Sequence, residues 1–206
     1  MPLVDEGVGP FPPDRDPDEY DRLRRRVLWS LPTGLFVIGS RSGDRRNLMT
    51  ANLVVQLATS PKLVGVAVER GAVTRRLIEE GGAFSVSLVS RADRAVVRRF
   101  VKPVDVVELD ARGAAISMQG EAVHEVAGGL PCLSAAVAWL ACEVRRTCRW
   151  DDVAVDDEAS HVLFVGEVVD AGERAELSRS PSTDGPDDAG PPGILRMEDT
   201  RMNYGG

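Results

Sequence analysis

Two histidines and three cysteines are spread over 206 residues, and Cys132, Cys142 and Cys148 show no C-x-x-C spacing. That is too thin a donor set for a zinc site. An odd number of thiols, in or beside apolar sequence, reads as buried sulfur and not as a disulfide framework. No apolar run approaches the roughly 20 residues that a membrane-spanning helix needs. The acidic, Pro-containing N-terminus lacks the charged-then-apolar layout of a secretion signal, which leaves the cytoplasm as the expected compartment. G-x-G-x-x-G is missing too, so any nicotinamide dinucleotide would bind outside a Rossmann pocket. Internal repeats are not evident.

What is present is an ordinary globular balance, 43% hydrophobic and 28% charged, long enough for one domain with a substantial core. The net charge of −7 is unevenly laid out. Residues 1–20 hold six acids and one Arg, residues 151–188 hold twelve acids and two Arg, and the stretch between, 21–150, carries 20 basic against 12 acidic residues. Two readings of such a basic centre stay open: an attraction for phosphate-bearing small molecules, or Arg residues that simply form the solvated faces of short helices. The bases are dispersed and no aromatic residues interleave them, so a nucleic-acid interface is not expected. Residues 1–19 read as a mobile arm, 20–206 as the domain, and 178–193, SRSPSTDGPDDAGPPG, as a flexible loop within it.

Periodicity and punctuation predict the elements. A short helix is expected from Tyr20 to Ser30, ahead of Pro32. Gly34–Ser40 and Asn47–Val55 read as two strands of a hairpin around Ser-Gly-Asp, with Leu63–Glu69 as a third. Thr74 is expected to cap a short helix that ends at Gly81 or Gly82. Ala83–Val89 is the next strand. After it, Ser90 and Asp93 imitate a capping arrangement, and Ala92, Val96 and Phe100 recur every four residues, predicting an amphipathic helix. Glu121–Val126, a long Ser134–Cys148 and His161–Ala171 complete six or so strands. The fold class expected from this is mainly β, a barrel with short peripheral helices.

The order of these motifs resembles the flavin reductase-like family with its FMN-binding split barrel. Met49, Thr50 and Ala51 match a Met-Thr-Ala signature, followed by Ala58, Thr59, Ser60 and Pro61 and the apolar strand Leu63–Val68. Thr74, Leu77 and Ile78 look like the family's helix start, Phe84, Val86 and Leu88 like its next strand, and Leu130–Cys142 like its Leu-Pro to Cys stretch. His161, Phe164, Gly166, Glu167 and Val168 match the late His and Gly-Glu-Val motif, and the ending DTRMNYGG resembles that of one branch. The likeness covers roughly 27–171 plus the tail. Three positions depart from it: Ala58 stands where Ser is usual, Ser87 where Asn is usual, and Ser160 where Asp precedes the His. Losing one hydroxyl removes about 0.5–1.5 kcal/mol of flavin binding, which suits an exchangeable flavin.

The resemblance implies an NAD(P)H-dependent flavin reductase that uses FMN, with FAD or riboflavin left open, and NADH or NADPH as hydride donor. It also implies a homodimer, with Leu133–Cys142 as a candidate contact, and a separate monooxygenase that receives reduced flavin. A flavin needs an apolar slot, hydrogen bonds at its pyrimidine edge and donors at its phosphate. Met49, Thr50, Ala51 and Asn52 are candidates for the ring, together with Ala58, Thr59 and Phe84. Ser60 and Thr74, with Arg75 or Arg76, are candidates for the phosphate end. His161 is expected to orient the nicotinamide or the flavin edge, the catalytic contribution being alignment. Tyr204 is expected as a lid or interface residue, and His124 as structural. Two other classes stay open: an FMN- or haem-binding protein of the same fold without turnover, and an interaction protein with a degenerate site.

Overall fold

The computed structural model describes residues 4–5, 10–148, 160–174 and 193–200. They fall into two compact units, divided after Pro32. In the first, β1 (Val4–Asp5) pairs with β2 (Pro10–Phe11), and α1 spans Pro17–Trp29. Asp16 Oδ1 accepts the Glu19 amide at 2.9 Å and Pro17 stands in the first turn, so the helix starts three residues before Tyr20.

The second unit, Thr33–Thr200, contains β3 (Phe36–Ser42), β4 (Arg45–Ala51), β5 (Val54–Thr59), β6 (Lys62–Glu69), α2 (Val73–Gly81), β7 (Ala83–Leu88), β8 (Val107–Leu109), β9 (Ala115–Met118), β10 (Glu121–Val126), β11 (Leu130–Leu133), β12 (Ala138–Cys148) and β13 (His161–Glu173). Seven strands form one antiparallel sheet in the order β4-β3-β7-β12-β13-β6-β5. Met49 of β4 and Val54 of β5 belong to opposite edges, yet both pack against the same buried cluster of Ile38, Val66, Ile78, Phe84, Val86 and Phe164. The sheet is therefore rolled around a single core, the mainly β barrel expected. Alternation explains which side chains go in: Val162 and Phe164 are buried, while His161, Leu163 and Val165 between them face outward and are half-buried.

A second sheet, β11-β10-β9-β8, lies against the barrel through β11. In β7 the residues between Phe84, Val86 and Leu88 are Ser85 and Ser87, and both hydroxyls are spent on this seam. Ser85 donates to the Pro131 carbonyl at 2.6 Å, and Ser87 accepts the Leu133 amide at 3.1 Å. Gly39 is bare because a Cβ there would come within 2.0 Å of the Pro131 carbonyl oxygen. Glu125 pins the sheets electrostatically, meeting Arg46 at 2.7 Å and Arg41 at 3.2 Å.

Four expectations need correction. The second strand ends at Ala51, and Val55 belongs to a strand of its own, since Asn52 and Leu53 form the corner between β4 and β5. The segment after Ser90 is two 3-10 turns, Arg91–Asp93 and Val96–Phe100; Ala92 is exposed, and Val97 is buried beside Val96 and Phe100. Ser90 Oγ accepts the amide two residues on, at Ala92, which closes a tighter turn than an α-helical cap. β8, β9 and β11 are too short to announce themselves. Finally, Leu133–Cys142 offers a second copy less surface than its apolar run suggests: Leu133, Ala136, Val137, Ala141 and Cys142 are buried within the chain, while Ser134 and Ala135 are exposed and Ala138, Trp139 and Leu140 half-buried. The loop expected at 178–193 lies outside the described residues except for Gly193.

Candidate active site

Three of the expected pieces meet at the C-terminal end of β6. The corner after Met49-Thr50-Ala51 comes there because the Leu53 carbonyl accepts the Ala67 amide at 3.0 Å. His161 comes there because it opens β13 directly opposite Glu69, the last residue of β6. The start of α2 follows after three residues. Its Arg75 Nε donates to the Arg70 carbonyl at 2.6 Å, and the Arg70 amide donates to the Ser160 carbonyl at 2.9 Å. Asn47 completes the tie: its Nδ2 donates to Thr74 Oγ1 at 2.8 Å, and its Oδ1 accepts the Val104 amide at 2.8 Å.

The helix start differs from the expected one in a way that matters. Ala72 is the N-cap residue, no side chain caps the first turn, and no acid stands in it. Thr74 is fully buried, its hydroxyl held by Asn47, so it does not cap. The Arg75 guanidinium is committed to Glu79 at 2.6 Å. What faces outward is a helix N-terminus with unfilled amides and the exposed Arg76, a combination that favours an anion. The Thr74 hydroxyl, held by Asn47, is not available to the anion site expected here, whereas the first-turn backbone and Arg76 are.

The remaining candidates divide. Asn52 and His161 are half-buried and reachable, and His161 Nδ1 lies 2.7 Å from Ser160 Oγ. Met49 and Ala51 turn inward to the core cluster. Thr50 is buried on the other face, donating to the Val97 carbonyl at 2.5 Å. Phe84, expected beside the cofactor, has its side chain wholly inside the barrel under Gly166. Ala58, Thr59 and the exposed Ser60 form the β5–β6 hairpin, with a cis Ser60–Pro61 peptide, at the opposite end of β6 from His161. Seven residues of strand separate the two ends, about 23 Å. Tyr204 lies outside the described residues.

Sequence reasoning passed over Ala72 and Arg70, which carry no motif of their own; only the strand pairing of β6 with β13 gives them a place. A cleft of about 340 Å³ lies beside Arg41, Gly82, Gly128 and Glu143, and none of the expected site residues lines it. His124 sits edge-on to Trp139 with ring centroids 6.1 Å apart, and burial holds its pKa below the ordinary value. That placement suits the structural role expected of it. Among the described residues no group of three or more His, Cys, Asp or Glu could hold a metal ion, and no helix is long and apolar enough to cross a membrane.

Known proteins resemble this chain in sequence and fold. The chain is 29% identical over 164 residues to an NADH-dependent FAD reductase of Streptomyces globisporus, covering 78% of this chain and 81% of that protein. It is 28% identical over 149 residues to the NADH-dependent flavin reductase StyB of Pseudomonas fluorescens, covering 72% and 76%. Among solved structures, the NADH:FAD oxidoreductase of Streptomyces globisporus in complex with NAD and FAD fragments superposes with a TM-score of 0.59 at 26% identity, covering 77% of this chain and 85% of that one. The flavin reductase like domain matches residues 28–188. With the greater part of its length matched, and the rolled barrel and His161 strand in place, the chain belongs to the flavin reductase like domain family.

Proposed function

We propose that the protein is an NAD(P)H:flavin oxidoreductase that reduces FMN or FAD and passes the reduced flavin to a separate monooxygenase. The observation that carries this reading is the meeting of Asn52, His161 and the open start of α2 at one end of β6, in a chain of this family. A flavin fits the donor set there: an amide side chain and an imidazole for its polar edge, and unfilled helix amides with Arg76 for its phosphate. Bound flavin supplies the electron acceptor for a hydride from nicotinamide. Asn52 and the strand corner would hold the ring edge, and the α2 amides would anchor the phosphate. The His161 imidazole would hydrogen-bond to the carboxamide of the nicotinamide or to the flavin edge, its contribution being to orient the reacting pair. The cytoplasm, where reduced nicotinamides are made, suits this chemistry.

We further propose a homodimer formed across the outer face of β5, β6 and β13. Leu53, Val55 and Leu57 are 44%, 56% and 46% exposed, and the bare Gly65 lies between Leu57 and Leu163. Leu53, Val55 and Leu57 stand at alternate positions, so they share one face at the edge of the sheet, the kind of apolar row that a partner covers. An isologous pairing there would also carry the Ser60 hairpin of one copy toward the His161 end of the other, uniting two groups that one chain keeps apart.

The test is to mix the purified protein with FMN, FAD or riboflavin and with NADH or NADPH under air, following nicotinamide absorbance. Oxidation that depends on added flavin is expected, and His161→Ala should slow it more than it weakens flavin binding. Bound flavin with no nicotinamide oxidation would favour a non-catalytic flavoprotein, and a His161→Ala rate equal to wild type would remove the imidazole from the mechanism.

A further inference from the structure

We propose that Ser160 is a positioning residue for His161: its hydroxyl donates to Nδ1, which keeps the ring proton on Nε2, pointing outward as a hydrogen-bond donor. This rests on the reading above that His161 orients the reacting pair. The contact itself is 2.7 Å between Ser160 Oγ and His161 Nδ1. A neutral imidazole has one donor and one acceptor nitrogen, and the partner of one nitrogen decides what the other presents.

Ser160 is not a loosely held neighbour. Its carbonyl accepts the Arg70 amide at 2.9 Å, the Arg70 carbonyl accepts Arg75 Nε at 2.6 Å, and Arg75 is tied to Glu79 one turn along α2 at 2.6 Å. A chain of hydrogen bonds therefore runs from the body of α2 to the residue that grips the imidazole. The charged residue directly across the ladder from His161 is Glu69 on β6, and Arg70 follows it in the chain. Glu69 is acceptor-only when ionised, so it can satisfy an Nδ1–H or Nε2–H but cannot donate to the ring. Of the two side chains, Ser160 alone can donate to Nδ1; its hydroxyl can also accept, and donation is the direction that leaves an Nε2–H outward to match the carboxamide oxygen of nicotinamide.

The chemistry of substitution is distinctive. Ser160→Thr keeps the hydroxyl, Ser160→Ala removes it, and Ser160→Asp offers only an acceptor, which pulls the proton onto Nδ1 and reverses what Nε2 presents. Nitrogen NMR of the labelled imidazole in the folded protein reads the tautomer without any turnover. Wild type and Ser160→Thr should show a protonated Nε2, Ser160→Ala a mixture, and Ser160→Asp a protonated Nδ1. The KM for the nicotinamide should rise about threefold to tenfold in Ser160→Ala, the loss of one hydrogen bond, and recover in Ser160→Thr. A wild-type ring protonated on Nδ1, or a Ser160→Ala protein with unchanged tautomer and KM, would overturn the proposal. If the tautomer shifts as expected while KM stays flat and His161→Ala is also fully active, then the role given to His161 has failed and the positioning role with it; if His161→Ala is impaired and the tautomer does not shift, only Ser160 has failed.

Discussion

Gly166, part of the Gly-Glu-Val motif, is bare because of packing. A Cβ at this position would lie 2.6 and 2.7 Å from two ring carbons of Phe84 and 2.8 Å from the Cβ of Cys142. Carbon atoms pack favourably at about 3.5–4.0 Å, so all three contacts would be about 1 Å too short. Phe84 has no exposed surface and cannot swing into solvent, and the Cys142 Cβ is fixed to the backbone of the adjacent strand β12. Overpacking of this kind costs about 1–3 kcal/mol, and the rigid backbone partner argues for the upper end. Alanine recovers about 0.4–1 kcal/mol by narrowing the unfolded chain, leaving Gly166→Ala less stable by about 2 kcal/mol. In a chain of this size that lowers Tm by about 4–8 °C. The assay is chemical and thermal unfolding of Gly166→Ala, Phe84→Leu and the double variant. Phe84→Leu removes the ring that the new methyl strikes, so the double variant should be more stable than the sum of the singles by about 1–2 kcal/mol. A Gly166→Ala protein within about 0.5 kcal/mol of wild type, or a strictly additive cycle, would refute the packing argument. Unchanged stability with lost flavin binding would assign Gly166 to the cofactor instead.

The outer apolar face gives a second prediction: Leu57→Asp, at a residue 46% exposed in the single chain, should leave the fold intact and convert a dimer to a monomer in sedimentation. Wild-type and variant proteins of the same mass would rule out that interface. The buried thiols give a third. Burial pushes Cys132 up to about 11 and Cys142 up to about 12 from an ordinary value of 9.0. Below about pH 9 both states keep these protons; above it the unfolded chain releases them and the folded chain does not, so stability falls as pH climbs through that window, by at most about 1.4 kcal/mol per pH unit per thiol. Denaturant melts at about pH 8 and about pH 10 should show the loss, and a double Cys→Ala variant with the same slope would contradict it.

Alternation and punctuation made much of the barrel readable in advance. β6, β7, β10 and β13 sit within a residue or two of where runs such as LVGVAVE and HVLFVG place them, because a half-buried strand writes its two faces directly into the sequence. Gly82 stops α2 with φ of 69°, as a left-handed C-cap should. The failures share a cause. Ala92, Val96 and Phe100 carry a four-residue recurrence that an α-helix and a pair of 3-10 turns both satisfy over so short a length, and in the fold Ala92 is exposed, Val97 is buried and the Val97 carbonyl accepts Thr50 from a distant strand. Leu133–Cys142 is apolar enough for an interface or a core, and the second sheet closing over Ser85 and Ser87 takes Leu133, Ala136, Val137, Ala141 and Cys142 into the core while Ser134 and Ala135 stay exposed.

The same division runs through the site. Sequence alone determined the family resemblance, the strand-forming residues and a set of polar candidates that included His161 and Asn52, since these depend on local pattern and side-chain type. It could not determine that Thr74 spends its hydroxyl on Asn47, that Phe84 is roofed by Gly166, or that Ser160 reaches His161 through an anchor in α2. A hydroxyl or a ring has the same chemistry wherever it stands. Which partner it meets is fixed by strand register and the curl of the sheet, and those join residues tens of positions apart in the chain.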